Sequence, residues 1–105
     1  MNVLLTVEAV YDVADIADYI AESFGEDRAL QFEVDIERRF EHLSDYGHAD
    51  TGIRYDGHPI YKDVFSPSLI FFVIIGGDIH VLRVLREERD WPRMLRQKQR
   101  YDYDL

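Results

Sequence analysis

The chain has 105 residues, no cysteine and a net charge of −9, which indicates one domain with a single core and excludes disulfides, iron–sulfur clusters and a thiol nucleophile. The N-terminal segment lacks the basic region and long apolar stretch of a signal peptide, and the apolar run at 69–75 is too short to span a bilayer. A cytoplasmic protein of one domain over 1–105, with no membrane partner, is therefore expected.

The first 47 residues carry the pattern of two amphipathic helices. Over 6–25, apolar side chains recur at spacings of three and four, with Thr6 placed to cap the helix and Gly25 to end it. The same spacing over 26–47 predicts a second helix and hence an antiparallel hairpin. We expect the acidic side chains of the first helix to form a solvated face rather than a metal site; they are Asp12, Asp15, Asp18 and Glu22.

The next part of the chain has the composition of β-structure. A short first strand is expected at 2–5, a Gly- and Asp-rich loop at 48–57, and strands at 58–65, 69–75 and 79–85. The segment 69–75 is apolar on both faces, which favours the central position in the sheet.

The C-terminal part predicts a short helix followed by a polar tail. Asp90 is placed to cap this helix, and Trp91 and Leu95 are placed to dock it on the core. The tail at 97–105 is expected to be flexible. The predicted fold class is α+β: an N-terminal helical hairpin packed on a small, mostly antiparallel sheet of three or four strands, with a short C-terminal helix.

Basic residues are concentrated near the end of the last predicted strand. Residues 1–50 hold 13 acids and 3 bases, whereas seven of the 12 basic residues lie between positions 83 and 100. Such a patch suits a phosphate or an acidic partner. The alternative is that the acidic and basic halves of the chain neutralise each other within the fold, and composition leaves both open.

Three arginines of this patch are candidates for a binding site. Strand alternation predicts that Arg83 shares a face with Val81 and Leu85, while Arg86 leaves the other face and Arg89 follows the strand. Guanidinium groups at a strand end form a rigid array of donors for carboxylate or phosphate. Alternatively, Arg83 or Arg86 pairs with an acid of the helical hairpin, and Arg89 pairs with Asp90 or Glu87.

No catalytic or metal-binding motif stands out in the sequence. A Ser/His/Asp pattern is not recognisable, and the glycines at 76–77 indicate a hairpin turn rather than a phosphate loop. The histidines lack the spacing of zinc ligands; they are His42, His48, His58 and His80. The sequence therefore predicts no metal and no cofactor.

Two segments resemble the RelE/ParE superfamily of bacterial type II toxins: LLTVEAVYDVADIADYIAESFGEDRALQF and VLRVLREERDWPRML. The shared features are a Thr-x-Glu-Ala entry to the first helix, its Asp-x-x-x-Ile-x-x-Tyr-Ile core, the Phe-Gly break, and a strand ending in Leu-Arg-Val-Leu with Arg-Asp shortly after. The likeness runs from the first strand to the last helix. It implies the fold predicted above and a toxin held inactive by an antitoxin encoded beside it.

The resemblance implies one of two activities. RelE-like toxins cleave mRNA in the ribosomal A site, whereas ParE-like toxins poison DNA gyrase without hydrolysis. Arg89 matches the C-terminal arginine of the RelE pattern and is the catalytic candidate if the chain is an endoribonuclease. However, Leu95 stands where a tyrosine is expected, Leu69 opens the strand that often opens with arginine, and Lys62 is the only base of the preceding strand. The sequence therefore favours a ParE-like toxin.

The expected partners are a cognate antitoxin and DNA gyrase, with the ribosome and mRNA as the alternative. An antitoxin segment that is disordered until bound should place acidic groups on Arg83, Arg86 and Arg89. Asp90 and Trp91 are further contact candidates. The acidic net charge suits a protein target better than nucleic acid, and it leaves open a non-toxic, antitoxin-binding homologue. A dimer and a toxin–antitoxin hetero-oligomer are both left open.

Overall fold

The structure is a computed structural model that describes residues 2–45 and 48–96. The expected flexible tail at 97–105 lies outside these residues. None of the helices in the described part is long and apolar enough to cross a membrane. The elements in chain order are β1 (Val3–Leu5), α1 (Val7–Phe24), α2 (Glu26–Glu41), a short 3-10 helix (Leu43–Asp45), β2 (Ala49–Tyr55), β3 (His58–Phe65), β4 (Ser68–Ile75), β5 (Asp78–Arg86) and α3 (Trp91–Arg96).

The strands form one five-stranded sheet in the order β1-β5-β4-β3-β2. β1 runs parallel to β5, and the other neighbours are antiparallel. β4 is the middle strand, as its apolar sequence predicted, and the predicted fold class is confirmed.

The prediction of three or four strands was wrong because β2 occupies the segment expected to be a loop. β2 pairs with β3 at both of its ends, but the register shifts between Asp50 and Arg54. Gly52 lies inside this break with φ +78°. The bulge interrupts the alternation of apolar and polar residues by which a strand is recognised in sequence.

The helical hairpin follows its predicted pattern closely. The Thr6 hydroxyl accepts a hydrogen bond from the Ala9 N–H at 3.0 Å and so caps α1 as predicted. Gly25 joins the two helices with φ +99°, a conformation that favours glycine. The second helix ends at Glu41 rather than near 47, and residues 46 and 47 lie outside the described part.

The two faces of the sheet carry separate apolar clusters. The helix-facing cluster joins residues of α1 and α2 to Ile70, Phe72, Ile79, Val81 and Val84. The opposite cluster contains Ile53, Ile60, Leu69, Phe71, Val73, Leu82, Leu85 and Leu95. Trp91 of α3 packs on Phe71 with ring centroids 5.3 Å apart, so the predicted docking of the final helix by Trp91 and Leu95 is confirmed.

A bulge in β5 changes which side chains share a face. Val81 pairs with Phe72, and Arg83 pairs with the preceding residue Phe71, so Leu82 is an extra residue in β5. After the bulge the alternation is reset, and Val81 contributes to the helix-facing cluster while Leu85 contributes to the opposite one. The prediction that these two residues share a face was therefore wrong.

Candidate functional site

The three candidate arginines line one groove between α1 and the end of β5. The groove has a volume of about 310 Å³. We call it the arginine groove; its charged and aromatic lining consists of Asp12, Asp15, Tyr19, Arg83, Arg86 and Arg89. The structure thus brings together three of the five predicted contact residues, with one flank of α1 opposite them.

Arg83 forms a buried ion pair with α1. Its Nε donates to Asp12 Oδ2 at 2.7 Å, and its Nη2 donates to Asp12 Oδ1 at 2.9 Å. The side chains of Arg83 and Asp12 are only 13% and 10% exposed. The expectation that Asp12 belongs to a solvated acidic face was therefore wrong, whereas the alternative that Arg83 pairs with the hairpin is what the structure shows.

Asp12 also replaces a missing strand partner. β1 pairs with β5 only as far as Val81. Beyond that point, the Thr6 hydroxyl donates to the Leu82 carbonyl at 2.7 Å, and Asp12 Oδ2 accepts from the Val84 N–H at 3.0 Å. Buried backbone polar groups must be hydrogen-bonded. The side chains of Thr6, the N-cap of α1, and Asp12, within α1, therefore hold the edge of β5 where the arginine groove begins.

Arg86 is held against α1 by an aromatic ring. Its guanidinium lies 4.1 Å from the centroid of the Tyr19 ring, a cation–π contact. Its Nε also pairs with Glu88 Oε1 at 2.9 Å, and the Glu88 side chain is 58% exposed. Because an exposed ion pair contributes little stability, an acidic group of a partner can compete with Glu88.

Arg89 lines the arginine groove and is exposed. Among the described residues it has no ion-pair partner, so the pairing with Asp90 or Glu87 considered from the sequence is not seen. Its backbone is nevertheless fixed, because its N–H donates to the Arg86 carbonyl at 3.0 Å and its carbonyl accepts from the Trp91 N–H at 2.8 Å.

Asp90 and Trp91 do not line the arginine groove. The Asp90 carbonyl accepts from the Met94 N–H at 3.2 Å at the start of α3, and its side chain is exposed. Trp91 lies on the opposite face of the sheet, between Phe71 and the Lys62 ammonium, which is 4.9 Å from the indole ring.

Sequence reasoning allowed a pairing of Arg83 with the helical hairpin but did not identify which residues of α1 line the groove. Asp12 and Tyr19 are seven residues apart on α1, a spacing that places them on one helix flank. That spacing signals a shared surface but not what it faces, because Arg83 is 71 residues away from Asp12 along the chain. The assembled groove presents two accessible guanidinium groups, Arg86 and Arg89, which can bind carboxylate or phosphate.

Comparison with known proteins identifies the family. A family model described as the ParE toxin of the type II toxin–antitoxin system parDE matches residues 3–91. A solved chain titled "Chromosomal ParDE TA system from P. aeruginosa" is similar, with a TM-score of 0.68 and 25% sequence identity over 84% of this chain and 97% of that chain. No match was found among curated proteins. The family match extends from β1 to the first residue of α3, and the chain belongs to the ParE toxin family of type II toxin–antitoxin systems.

Proposed function

We propose that this ParE-family toxin inhibits DNA gyrase by binding, in the bacterial cytoplasm, and that a cognate antitoxin neutralises it. In this proposal the arginine groove contributes to both contacts. The observation that carries it is the pair of accessible guanidinium groups, Arg86 and Arg89, held at the end of a fixed strand.

The rigidity of this strand end favours a binding role. Asp12 and Thr6 hold the edge of β5, and the backbone hydrogen bonds around Arg89 fix the turn that follows. A partner that binds to a pre-organised surface loses less conformational entropy than one that must order a loop. Arg83 supports the surface through Asp12, while Arg86 and Arg89 make the contacts with the partner.

The positions that matter in the RelE pattern favour binding over RNA cleavage. Leu95, which stands where that pattern has a tyrosine, is 6% exposed and belongs to the core. Lys62 lies on the opposite face of the sheet, over Trp91. Phosphodiester cleavage requires acid–base groups beside the cations, and neither Leu95 nor Lys62 lines the arginine groove.

The test is controlled expression of the chain in a bacterium that carries an SOS reporter. We expect growth arrest with SOS induction, because a toxin that traps gyrase on DNA causes DNA damage. The purified protein should also inhibit supercoiling by purified gyrase. Arrest with mRNA cleavage but without SOS induction would establish the endoribonuclease alternative, and unimpaired growth would favour the non-toxic homologue.

Paired arginine variants test the groove itself. R86A/R89A should lose toxicity and weaken antitoxin binding, because it removes both accessible guanidinium groups. R93A/R96A is the matched control, since it removes two exposed arginines of α3 outside the groove. If alanine at Arg83, Arg86 and Arg89 together leaves both antitoxin affinity and toxicity unchanged, the groove has no role in either contact.

A further inference from the structure

The two accessible arginines of the arginine groove are the two ends of one β-turn. The Arg89 N–H donates to the Arg86 carbonyl at 3.0 Å, which is the hydrogen bond that joins the first and fourth residues of such a turn. The α-carbons of these two residues therefore lie within about 7 Å of each other, and both side chains line the groove. The turn thus presents two neighbouring guanidinium groups to one partner surface.

The two glutamates inside this turn have different partners. Glu87 is bonded to the preceding turn: its N–H donates to the Pro67 carbonyl at 3.0 Å, and its carboxylate accepts from the Ser66 hydroxyl. Glu88 instead extends to Arg86, and its Oε1 lies 2.9 Å from Arg86 Nε. Only the second of the two glutamates therefore occupies a donor of the arginine groove.

Glu88 and Arg86 are not held equally firmly. The Glu88 side chain is 58% exposed, and Arg86 is its only partner among the residues that the structure describes. The Arg86 side chain is 28% exposed, and its guanidinium is also held 4.1 Å from the centroid of the Tyr19 ring. Glu88 can therefore turn into water while Tyr19 still positions Arg86 in the groove.

The contact between Glu88 and Arg86 is of the kind that another carboxylate can replace. A guanidinium binds a carboxylate through its fork of N–H donors, and in the free protein Glu88 already takes the Nε donor. An exposed ion pair contributes little stability, so the exchange of Glu88 for a second carboxylate is easy. While Glu88 is in place, however, its charge repels an acidic group that approaches Arg86.

We propose that Glu88 is a built-in competitor for the gyrase contact: in the free toxin it occupies the position on Arg86 that a carboxylate of gyrase takes in the complex. This inference rests on the proposed function, in which the arginine groove contacts gyrase. It assigns a carboxylate as the ligand of Arg86, because the chain itself places one at that guanidinium. Glu88 thereby sets the affinity of the toxin below the value that Arg86 and Arg89 alone would give.

The competitor has an effect of unusual sign. Glu88→Gln keeps the shape of the side chain and removes its negative charge, so Arg86 is available in a larger fraction of the free molecules. Because the apparent affinity of a ligand is reduced by the fraction of molecules that cannot bind it, E88Q should bind gyrase more tightly than wild type. We expect about a threefold lower dissociation constant, the size that an exposed ion pair allows.

The experiment measures the dissociation constant of the full-length chain for purified gyrase without DNA, by biolayer interferometry. E87Q is the matched control, since it makes the same substitution and the same change in net charge at the next residue, whose carboxylate bonds Ser66 rather than Arg86. We expect E87Q to bind as wild type does. In the R86A background, E88Q should no longer tighten binding, because the group for which Glu88 competes has been removed.

Three results would overturn the competitor. These are an affinity of E88Q no higher than that of wild type, an equal gain in E87Q, and an equal gain in the R86A background. An equal gain in E87Q would show that net charge alone is responsible. A gain that appears only when gyrase carries DNA would also overturn it, because the ligand of Arg86 would then be a phosphate.

Growth arrest separates this inference from the gyrase proposal. If the wild-type chain arrests growth but does not bind gyrase, the gyrase proposal fails, and the toxin level needed for arrest still tests the competitor. That level should be about threefold lower for E88Q than for wild type and unchanged for E87Q. If the wild-type chain neither binds gyrase nor arrests growth, both proposals fall. Both glutamates are exposed, so the two variants should unfold at the wild-type temperature.

Discussion

Removing one partner of the buried ion pair between Asp12 and Arg83 should strongly destabilise this small domain. Asp12→Ala removes the carboxylate that accepts from the Arg83 guanidinium twice and from the Val84 N–H once. The Arg83 guanidinium and the Val84 N–H then lack these hydrogen bonds. The site is largely buried in the native protein, since the side chains of Arg83 and Asp12 are 13% and 10% exposed. The substitution therefore leaves the Arg83 guanidinium and the Val84 N–H buried without the carboxylate that accepted from them.

The magnitude follows from this burial. Breaking a buried ion pair costs about 3–5 kcal/mol because the remaining charge stays desolvated, and we expect about 3 kcal/mol for Asp12→Ala. A domain of this size is stable by about 5–15 kcal/mol, so the loss is substantial. Arg83→Met should lower the free energy of unfolding by less than Asp12→Ala does, since Asp12 can still accept from the Val84 N–H.

Urea denaturation provides the assay, followed by the fluorescence of the single tryptophan, Trp91. Asp15→Ala is the matched control on the exposed part of the same flank and should stay within about 0.5 kcal/mol of wild type. In the double variant D12A/R83M, the loss in the free energy of unfolding should be about 2 kcal/mol smaller than the sum of the losses in the two single variants. A loss below about 1 kcal/mol for Asp12→Ala, or additivity in the double variant, would contradict the ion pair.

Substitutions at four further positions test other parts of the fold by thermal unfolding. Thr6→Val should cost about 2–3 kcal/mol, because it removes both the cap of α1 and the donor to the Leu82 carbonyl, whereas Thr6→Ser should be close to neutral. Arg39 Nε donates to Asp63 Oδ2 at 2.7 Å in an ion pair between α2 and β3. Arg39→Leu should lower the stability more than Asp63→Ala, because it leaves the Asp63 carboxylate, which is 1% exposed, without this partner, whereas the Arg39 side chain is 20% exposed and can turn to water; equal losses would contradict this. Gly25→Ala should cost about 1–3 kcal/mol through its positive φ alone, since an added Cβ meets nothing within 4 Å, and an unchanged melting temperature would refute that explanation.

Local sequence patterns predict most of the fold because they act over short distances. The apolar stripes of α1 and α2, the glycine between them and the apolar strand β4 are each encoded within a few residues. β2 was missed because its pairing is broken by a bulge around Gly52, which removes the periodicity of a strand. The bulge at Leu82 had a similar effect, since the surrounding segment Val81–Leu85 is apolar enough to fit either face.

The candidate site was only partly predictable because it is assembled from distant segments. The basic cluster near the end of β5 is visible in the sequence, and three of its residues do line one groove. Which arginine is buried and which is accessible depends on α1, about 70 residues earlier. Asp12 looks like its neighbours Asp15 and Asp18 in sequence, and only its position over the edge of β5 distinguishes it.

The contacts between α1 and β5 also determine when the chain can fold during its synthesis. Thr6 and Asp12 find their partners in Leu82, Arg83 and Val84, which are 71 to 76 residues further along the chain. Until the ribosome has released β5, the helical hairpin lacks both its apolar support and the partners of these two polar groups. Such long-range contacts slow folding, and a nascent chain gains the finished arginine groove only after β5 has been translated. The residues of α1 that line the groove are therefore made long before the strand that completes it.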